Sequence, residues 1–336
     1  MVNLNPFTYF HLPADFLGSF LASQFTTLPY PDADFKGQTI IVTGANVGLG
    51  LEAARHFVRL GASKVILGCR NKEKGDGAKR VIEVTTGRMN VVEVWQVDLS
   101  SYESVRHFCD RASKLERLDA VVENAGIATP TYEEAEGMES TITVNVISTF
   151  LMALLLLPKL RSDALKYNIT PRLTIVASDA HEQASFREQF APVIFTALKS
   201  SKYQSDRYNV SKLLEILTVR ELGPAMTSSG KPKVILNTLT PGFCRSELMR
   251  HAAFPLNLLG WIGKLLIGRS TEMGSRTLVA AACAGEDTHG SYMTDCKVKD
   301  PSKWVRSEKG KEAQKRTYKE LLGVLEEIEP GVTKNI

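Results

Sequence analysis

Tyr208 and Lys212 stand four residues apart in the run Tyr208-Asn209-Val210-Ser211-Lys212. On a helix that spacing puts both side chains on one face. An ammonium one turn from a phenol favours the phenolate, and so draws a group with a reference pKa of about 10 toward working pH. Such a phenol can give a proton to a carbonyl oxygen or take one from an alcohol. The same spacing also occurs on solvated helices that do no chemistry, so its meaning depends on the rest of the chain.

A second run suits a nucleotide. Thr43-Gly44-Ala45-Asn46-Val47-Gly48-Leu49-Gly50 joins the first apolar strand pattern to the first helical one. Gly44 allows the sharp turn, Gly48 removes bulk where backbone must approach pyrophosphate, and Gly50 permits close helix–strand packing. Asn46, Val47 and Leu49 fill the loop between them. The helix that follows offers free N–H groups and a positive dipole end to a phosphate.

The second strand ends in Gly68-Cys69-Arg70-Asn71-Lys72, with no acid before Glu73. An acid there would hold a ribose 2′-hydroxyl, whereas Arg70 can pair with a 2′-phosphate. NADP(H) is therefore expected rather than NAD(H); the alternative is that Arg70 is a solvated loop charge. Asp98, followed by Leu99, either accepts a hydrogen bond from adenine or caps the helix beginning near Ser101. Asn124-Ala125-Gly126 brings small groups to the end of the fourth strand.

The elements that must position these residues alternate along the chain. Strands are expected at Thr39–Thr43, Lys64–Gly68, Val91–Val97, Ala120–Val122, Leu173–Ala177, Val234–Leu239 and Ser291–Met293. Helices are expected at Gly48–Leu60, Lys74–Thr85, Ser101–Lys114, Met138–Leu157, Asp206–Leu222 and Thr271–Ala284. Most strand runs are continuously apolar, as befits strands covered on both faces. The pattern predicts an α/β fold: a doubly wound, Rossmann-type parallel sheet in a single domain. Residues 35–296 form that domain, after an N-terminal extension at 1–34 and before a charged helical tail at 297–336 anchored by Trp304. Insertions near 180–205 and 243–269 follow the carboxyl ends of strands and would form a substrate lid.

With 336 residues, 43% of them hydrophobic, a sizeable core is available. The net charge of +4 is spread without a basic block, which argues against nucleic acid. Five widely spaced cysteines suggest neither a metal site nor a disulfide framework, and a reducing, cytoplasmic setting is expected. Leu151–Leu157 reads as a buried helix stopping at Pro158. Phe254–Ile267 is too short to span a bilayer, and is expected to cover a cleft rather than contact a membrane. Near the start, Phe16–Ala22 is expected to pack as a short helix and strap.

Taken in order, Gly44-x-x-x-Gly48-x-Gly50, Asn124-Ala125-Gly126, Ser178, Tyr208-x-x-x-Lys212 and Pro241-Gly242 resemble the short-chain dehydrogenase/reductase family, over about Phe35 to Cys296. Val65–Asn71 and Gly290–Cys296 resemble its retinol-dehydrogenase-like branch, and the layout is similar to reductases of filamentous-fungal secondary metabolism. The resemblance implies Tyr208 as general acid in reduction, Lys212 lowering its pKa and holding the nicotinamide ribose, and Ser178 polarising the substrate oxygen. It also implies that Asn145 keeps a water-linked proton path to Lys212, and that Pro241, Gly242 and Ser246 lie beside the nicotinamide. Departures are Glu123 in place of an asparagine, Val47 in place of a small or basic residue, and a wide gap between Ser178 and Tyr208 that the 180–205 insertion explains.

On the substrate side, Phe243, Leu248, Phe254, Leu258 and Trp261 would form an apolar wall, with Met249 and Leu259 alongside. His181 either touches substrate or is structural. The expected activity is NADPH-dependent reduction of a bulky hydrophobic ketone or aldehyde. Alcohol oxidation, or a dehydratase or epimerase reaction, could use the same groups. A non-catalytic nucleotide-binding protein is the reading from another class. A homodimer through the Met138–Leu157 and Asp206–Leu222 helices is a further expectation.

Overall fold

Runs of valine, isoleucine and leucine that bury both faces pair into the expected sheet. The computed structural model describes residues 14–245 and 267–336. Its elements are α1 (Ala14–Gln24), β1 (Thr39–Thr43), α2 (Gly48–Arg59), β2 (Lys64–Cys69), α3 (Lys72–Thr86), β3 (Val92–Gln96), α4 (Tyr102–Ser113) and β4 (Ala120–Glu123). There follow a hairpin of β5 (Glu134–Ala135) and β6 (Met138–Glu139), α5 (Ser140–Ile142), a π-turn (Thr143–Ser148), α6 (Thr149–Tyr167), β7 (Arg172–Val176) and α7 (Ile194–Leu198). The chain continues through α8 (Arg207–Ser228), β8 (Ile235–Leu239), α9 (Thr271–Ala282), β9 (Tyr292–Thr294), β10 (Lys297–Val298), α10 (Lys303–Arg306) and α11 (Glu308–Ile328).

The main sheet runs β10-β9-β8-β7-β4-β1-β2-β3. All its pairs are parallel except β9 with β10. The order reverses at β1, which lies between β2 and β4, and such a switch point opens a crevice at the strands' carboxyl ends. Alternate strand residues feed two cores. Ile40, Val42, Val65 and Leu67 pack with Ala53 and Phe57 of α2 and Leu278 of α9. Ile41, Ile66 and Val121 pack on the other face with Val105 of α4, Phe150 of α6 and Leu213 of α8.

Two helices outrun the sequence expectation. Instead of stopping at Pro158, α6 continues to Tyr167. Proline removes the amide that would bond the Leu154 carbonyl. The Asn335 side chain supplies a replacement, Nδ2 donating to that carbonyl at 3.1 Å. In the same way α8 passes Pro224 and ends at Ser228. At its other end, the expected Met138 helix begins as a hairpin strand and then passes through the π-turn. The span Ser140–Tyr167 is long and apolar enough to cross a membrane, but 94% of its most apolar window is buried in the protein.

The two ends of the chain pack on this body. Trp304 meets Phe186 edge-on, with centroids 6.1 Å apart, as expected of an anchor. The 180–205 insertion is built from short helical turns, Asp179–Gln183, Arg187–Phe190, α7 and Ser201–Asp206. The proline repair in α6 can be tested through Asn335. Asn335→Ala leaves a carbonyl inside the protein without its donor and is expected to lower stability by about 1–3 kcal/mol in urea unfolding; an unchanged midpoint and slope would show that the carbonyl is satisfied otherwise.

Candidate active site

Helix α8 starts where the 180–205 insertion ends, and its first turns are held from two sides. Arg207, wholly buried, donates to Glu188 at 2.7 Å and to the Ser200 carbonyl at 2.8 Å. One residue on, the Tyr208 side chain comes close to Ser178, which sits two residues past the end of β7. The Lys212 ammonium lies 5.9 Å from the Tyr208 ring centre. It donates to the Val176 carbonyl at 2.9 Å and to both oxygens of Glu215 at 2.8 and 3.1 Å. Serine, tyrosine and lysine therefore meet at the carboxyl end of β7, with Ser178 the serine nearest the phenol's chemistry.

The phenol differs from the sequence expectation in one respect. Lys212 and the Ser178 hydrogen bond do pull its pKa down, but burial outweighs them, and the phenol titrates above its ordinary value. Desolvation penalises the phenolate more than one partly compensated ammonium favours it.

Asn145 sits wholly buried in the π-turn. Such turns widen a helix by one residue and often occur at functional sites. Its Oδ1 accepts from the Ile127 amide at 2.9 Å, and its Nδ2 donates to the Ile127 carbonyl and to Ser211 Oγ, both at 2.9 Å. Ser211 in turn donates to the Tyr208 carbonyl at 2.7 Å. Asn145 thus ties the loop after Asn124-Ala125-Gly126 to the Tyr208 helix. A Cβ added at Gly126 would lie 3.2 Å from Asn145 Oδ1 and 3.6 Å from Lys212 Nζ, so that loop passes directly over the pair.

The glycine turn lies at the switch point. Gly44 and Gly48 both have φ of +64°, where side chains are disfavoured. A Cβ at Gly50 would come within 2.6 Å of Asn124 Nδ2 and 2.7 Å of the Gly44 carbonyl. Asn124 Nδ2 bonds the Thr43 carbonyl at 2.9 Å, while Thr43 Oγ1 accepts from the amides of Asn124 and Ala125, both at 3.0 Å. Helix α2 then begins without a side-chain cap from Val47 and without an acid in its first turn. Above Gly48 an added Cβ would meet, among the described residues, only Thr271, at 4.0 Å. An uncapped, acid-free helix start beneath open space, with Asn46 and Leu49 partly buried beside it, fits a phosphate-bearing cofactor.

Arg70 is exposed at the end of β2, and its guanidinium has no carboxylate partner among the described residues. Asp98 does not cap α4; Ser101 does, accepting from Ser104. The Asp98 carboxylate instead accepts from the Ser100 amide at 2.9 Å and its hydroxyl at 2.6 Å. Leu99 is buried behind it, its carbonyl accepting from Ser148 at 2.6 Å.

The Pro241-Gly242 stretch is held by residues that sequence reading missed. Gln24 of α1 accepts from the Phe243 amide and donates to the carbonyls of Phe243 and Ile267, each at 2.9 Å. Arg269 pairs with Asp295 at 2.6 Å and donates to the carbonyls of Ser23 and Pro241. The Phe243 ring stands 6.4 Å from Phe20. Gln24 and Arg269 carried no local signal, since their partners are far away in sequence. Ser246, Leu248, Met249, Phe254, Leu258, Leu259 and Trp261 lie outside the described residues.

His181 is corrected from a possible substrate contact to a scaffold residue. Its Nδ1 bonds the Ser178 carbonyl at 2.8 Å, its Nε2 accepts from the Ser302 amide at 3.2 Å, and its ring meets Tyr292 edge-on at 5.2 Å. Neither nitrogen is left for a ligand.

Comparison with known proteins supplies the wider setting. Residues 38–180 match the family described as short chain dehydrogenase. The chain is 48% identical over 325 residues to the short chain dehydrogenase/reductase dmxR8 of Cryptosporiopsis sp., covering 94% of this chain and 99% of that protein. It is 46% identical to the short chain dehydrogenase atnD of Emericella nidulans, over 83% of this chain and 91% of that one. These relatives are fungal, in line with one of the two resemblances; that to the retinol-dehydrogenase-like branch rests on residues alone. Among solved structures, the NADPH-bound carbonyl reductase from chicken fatty liver superposes with a TM-score of 0.58 at 18% identity, over 79% of this chain and 99% of that one. The Pseudomonas aeruginosa RhlG/NADP complex does so with a TM-score of 0.58 at 24% identity, over 79% and 97%. Both share the fold.

The His181 environment predicts acid sensitivity. Burial pushes the imidazole pKa down from 6.5 to about 4. Between those values the unfolded chain binds a proton that the folded chain refuses, so stability falls as pH drops through the window, by about 3 kcal/mol in all. His181→Asn should be less stable near neutrality yet lose this share of the slope when urea unfolding is followed from pH 7 to pH 4. An unaltered slope would assign the acid sensitivity elsewhere.

Proposed function

The chain belongs to the short-chain dehydrogenase/reductase family of oxidoreductases, and from that premise we propose that it is an NADPH-dependent carbonyl reductase acting on a bulky hydrophobic ketone or aldehyde. The observation that carries this reading is the meeting of Tyr208 and Ser178 at the end of β7 with the Lys212 ammonium 5.9 Å from the Tyr208 ring centre. A carbonyl oxygen beside Tyr208 and Ser178 would accept a hydrogen bond from each. As negative charge grows on that oxygen, the Tyr208 proton moves onto it and the Ser178 hydroxyl stabilises what remains. Lys212 carries the compensating positive charge, and Asn145 holds the loop and helix in register.

The remaining residues would hold the cofactor, which supplies the hydride. The turn of Gly44, Asn46, Val47, Gly48, Leu49 and Gly50 suits the pyrophosphate, and Arg70 the 2′-phosphate that distinguishes NADP(H) from NAD(H). Asp98 and Leu99 suit adenine. Asn124, Ala125, Gly126, Tyr208 and Lys212 suit the ribose groups, and Pro241, Gly242 and Ser246 the nicotinamide. Solved relatives of the same fold with bound NADP or NADPH support the choice of cofactor. Residues 35–296 would form the catalytic domain, with α1 and the C-terminal helices as additions to it. The fungal relatives support a place in fungal secondary metabolism.

Two variants test the reading. Tyr208→Phe should reduce carbonyl-dependent NADPH oxidation on the order of 10²- to 10⁴-fold, the range for loss of a general acid, while NADPH still quenches protein fluorescence on binding. Turnover at the parent rate would remove Tyr208 from the chemistry. Arg70→Asp should weaken NADPH binding roughly tenfold or more, with a smaller effect on NADH. Equal losses for both cofactors would mean that Arg70 does not read the phosphate.

A further inference from the structure

Two buried carboxyl groups beside Lys212 have no part in the reaction outlined above. Glu215 lies one turn past Lys212 on α8, and its side chain is 2% exposed. Glu123 ends β4 and is 5% exposed. In the sheet it pairs with Ile175, the residue before Val176, and the Val176 carbonyl takes Lys212's other hydrogen bond. Glu215 thus lies against the ammonium, and Glu123, on the neighbouring strand, lies within electrostatic reach of Glu215. Glu215 has both oxygens on Lys212, whereas Glu123 Oε1 has no hydrogen-bond partner.

Charge balance settles how such a group ionises. One buried ammonium compensates one carboxylate, and a second carboxylate without a cation would meet both the cost of desolvation and the repulsion of the first. Glu123 is the one with no cation partner among the described residues. Burial, and then the charge of Glu215, raise its pKa well above the usual carboxylate range. Glu215 also rises, to about 7, because burial outweighs the pull of Lys212.

We propose that Glu215 is a positioning residue that fixes and partly neutralises Lys212 and so keeps Tyr208 in the phenol form that reduction needs, while Glu123, buried nearby without a cation, stays uncharged and leaves that balance undisturbed. This rests on the reading of Tyr208 and Lys212 as the acid–base pair. A bare ammonium four residues from Tyr208 would draw the phenol toward ionisation. With Glu215 on the far side of the ammonium, that pull is offset. The groups facing the phenol are Lys212 and Glu215 on α8, Ser178 and Asp179 after β7, and, behind Asp179, Tyr292 of β9, which donates to it at 2.9 Å. Cys109 of α4 is a further titratable group near Glu123, and burial keeps it a thiol. His181, close to Ser178, stays neutral. Of the charges acting on Tyr208, Lys212 favours the phenolate, while Glu215 and Asp179 favour the phenol. Glu123 also stands where the family has an asparagine, so a neutral side chain at this position keeps the family's charge balance.

The test reads the phenol without cofactor or turnover. Ultraviolet tyrosinate titration of the ligand-free protein, with the Tyr208→Phe spectrum subtracted, gives the midpoint of Tyr208. In Glu215→Gln that midpoint should fall by about one pH unit or more, the size expected when one close buried charge is removed. The acid limb of alcohol oxidation by the loaded enzyme should move down with it. A midpoint that stays or rises overturns the proposal. Glu123→Gln, which copies the neutral acid in shape, provides a second arm should Glu215→Gln not fold. Its infrared difference spectrum against the parent near neutral pH should show the loss of one protonated-carboxyl band, and retention of that band overturns the assignment of Glu123. The outcomes also separate this proposal from the reading beneath it. A lowered midpoint in a protein that reduces no carbonyl leaves the charge balance standing without the activity. Loss of turnover in Tyr208→Phe with an unmoved midpoint in Glu215→Gln does the reverse.

Discussion

A charged ammonium buried inside a protein must be compensated where it lies, and much of the site is arranged around that requirement for Lys212. Its partners come from two elements, the Val176 carbonyl at the end of β7 and the Glu215 carboxylate on its own helix. These contacts fix helix α8 against the sheet at one height. Tyr208, one turn back, is thereby brought level with Ser178, two residues past the strand end. Asn145 sets the same helix against the loop after β4 through Ser211 and both backbone groups of Ile127. Moving the ammonium would cost its hydrogen bonds in a region with little water to replace them, so the phenol inherits its position from the lysine.

The other half of the cleft is fixed by close approach of backbone rather than by charge. The glycine turn and the end of β4 interlock through Thr43 and Asn124, and there is no room for a Cβ at Gly50. That lock sits where the strand order reverses, so one constraint both opens the crevice and aims the start of α2 into it. Charge on one side and steric closeness on the other tolerate different changes. A conservative swap at Glu215 alters electrostatics with little change of shape, whereas even a methyl group at Gly50 must displace backbone.

How far the sequence reveals this depends on whether a residue's partner is local. The strands were legible because a strand buried on both faces leaves an unbroken apolar run, and the turn at Gly44 because its glycines answer to local geometry. Tyr208 and Lys212 were legible by type and spacing, and Ser178 through the family resemblance and its place at a strand end. Glu215 was not, because a carboxylate three residues after a lysine reads as an ordinary surface pair, and only tertiary burial gives it weight. The π-turn at Asn145 was hidden within an apolar stretch that looks like plain helix. The passage of α6 beyond Pro158 was hidden too, because the donor that repairs it comes from Asn335, 181 residues away from Leu154. For His181 the sequence left substrate contact and a structural role open, and only tertiary contacts decide: its ring is taken up by the scaffold on both nitrogens.

The same distinction explains the N-terminal helix. Nothing in α1 suggests a role near the cleft, yet the Gln24 amide bonds Phe243 and Ile267, the residues that flank the stretch at 246–266. Arg269 adds the Ser23 and Pro241 carbonyls and Asp295 to the same cluster. A Cβ at Gly242 would strike Gln24 at 2.7 Å and Arg269 at 2.8 Å, so the chain can pass between them only as glycine. A single amide thus ties the two flanks together, while the guanidinium ties one of them to the end of β9. The stretch that carries Pro241 and Gly242 is thus held by polar contacts to its backbone, with the Phe20 and Phe243 rings packed beside it.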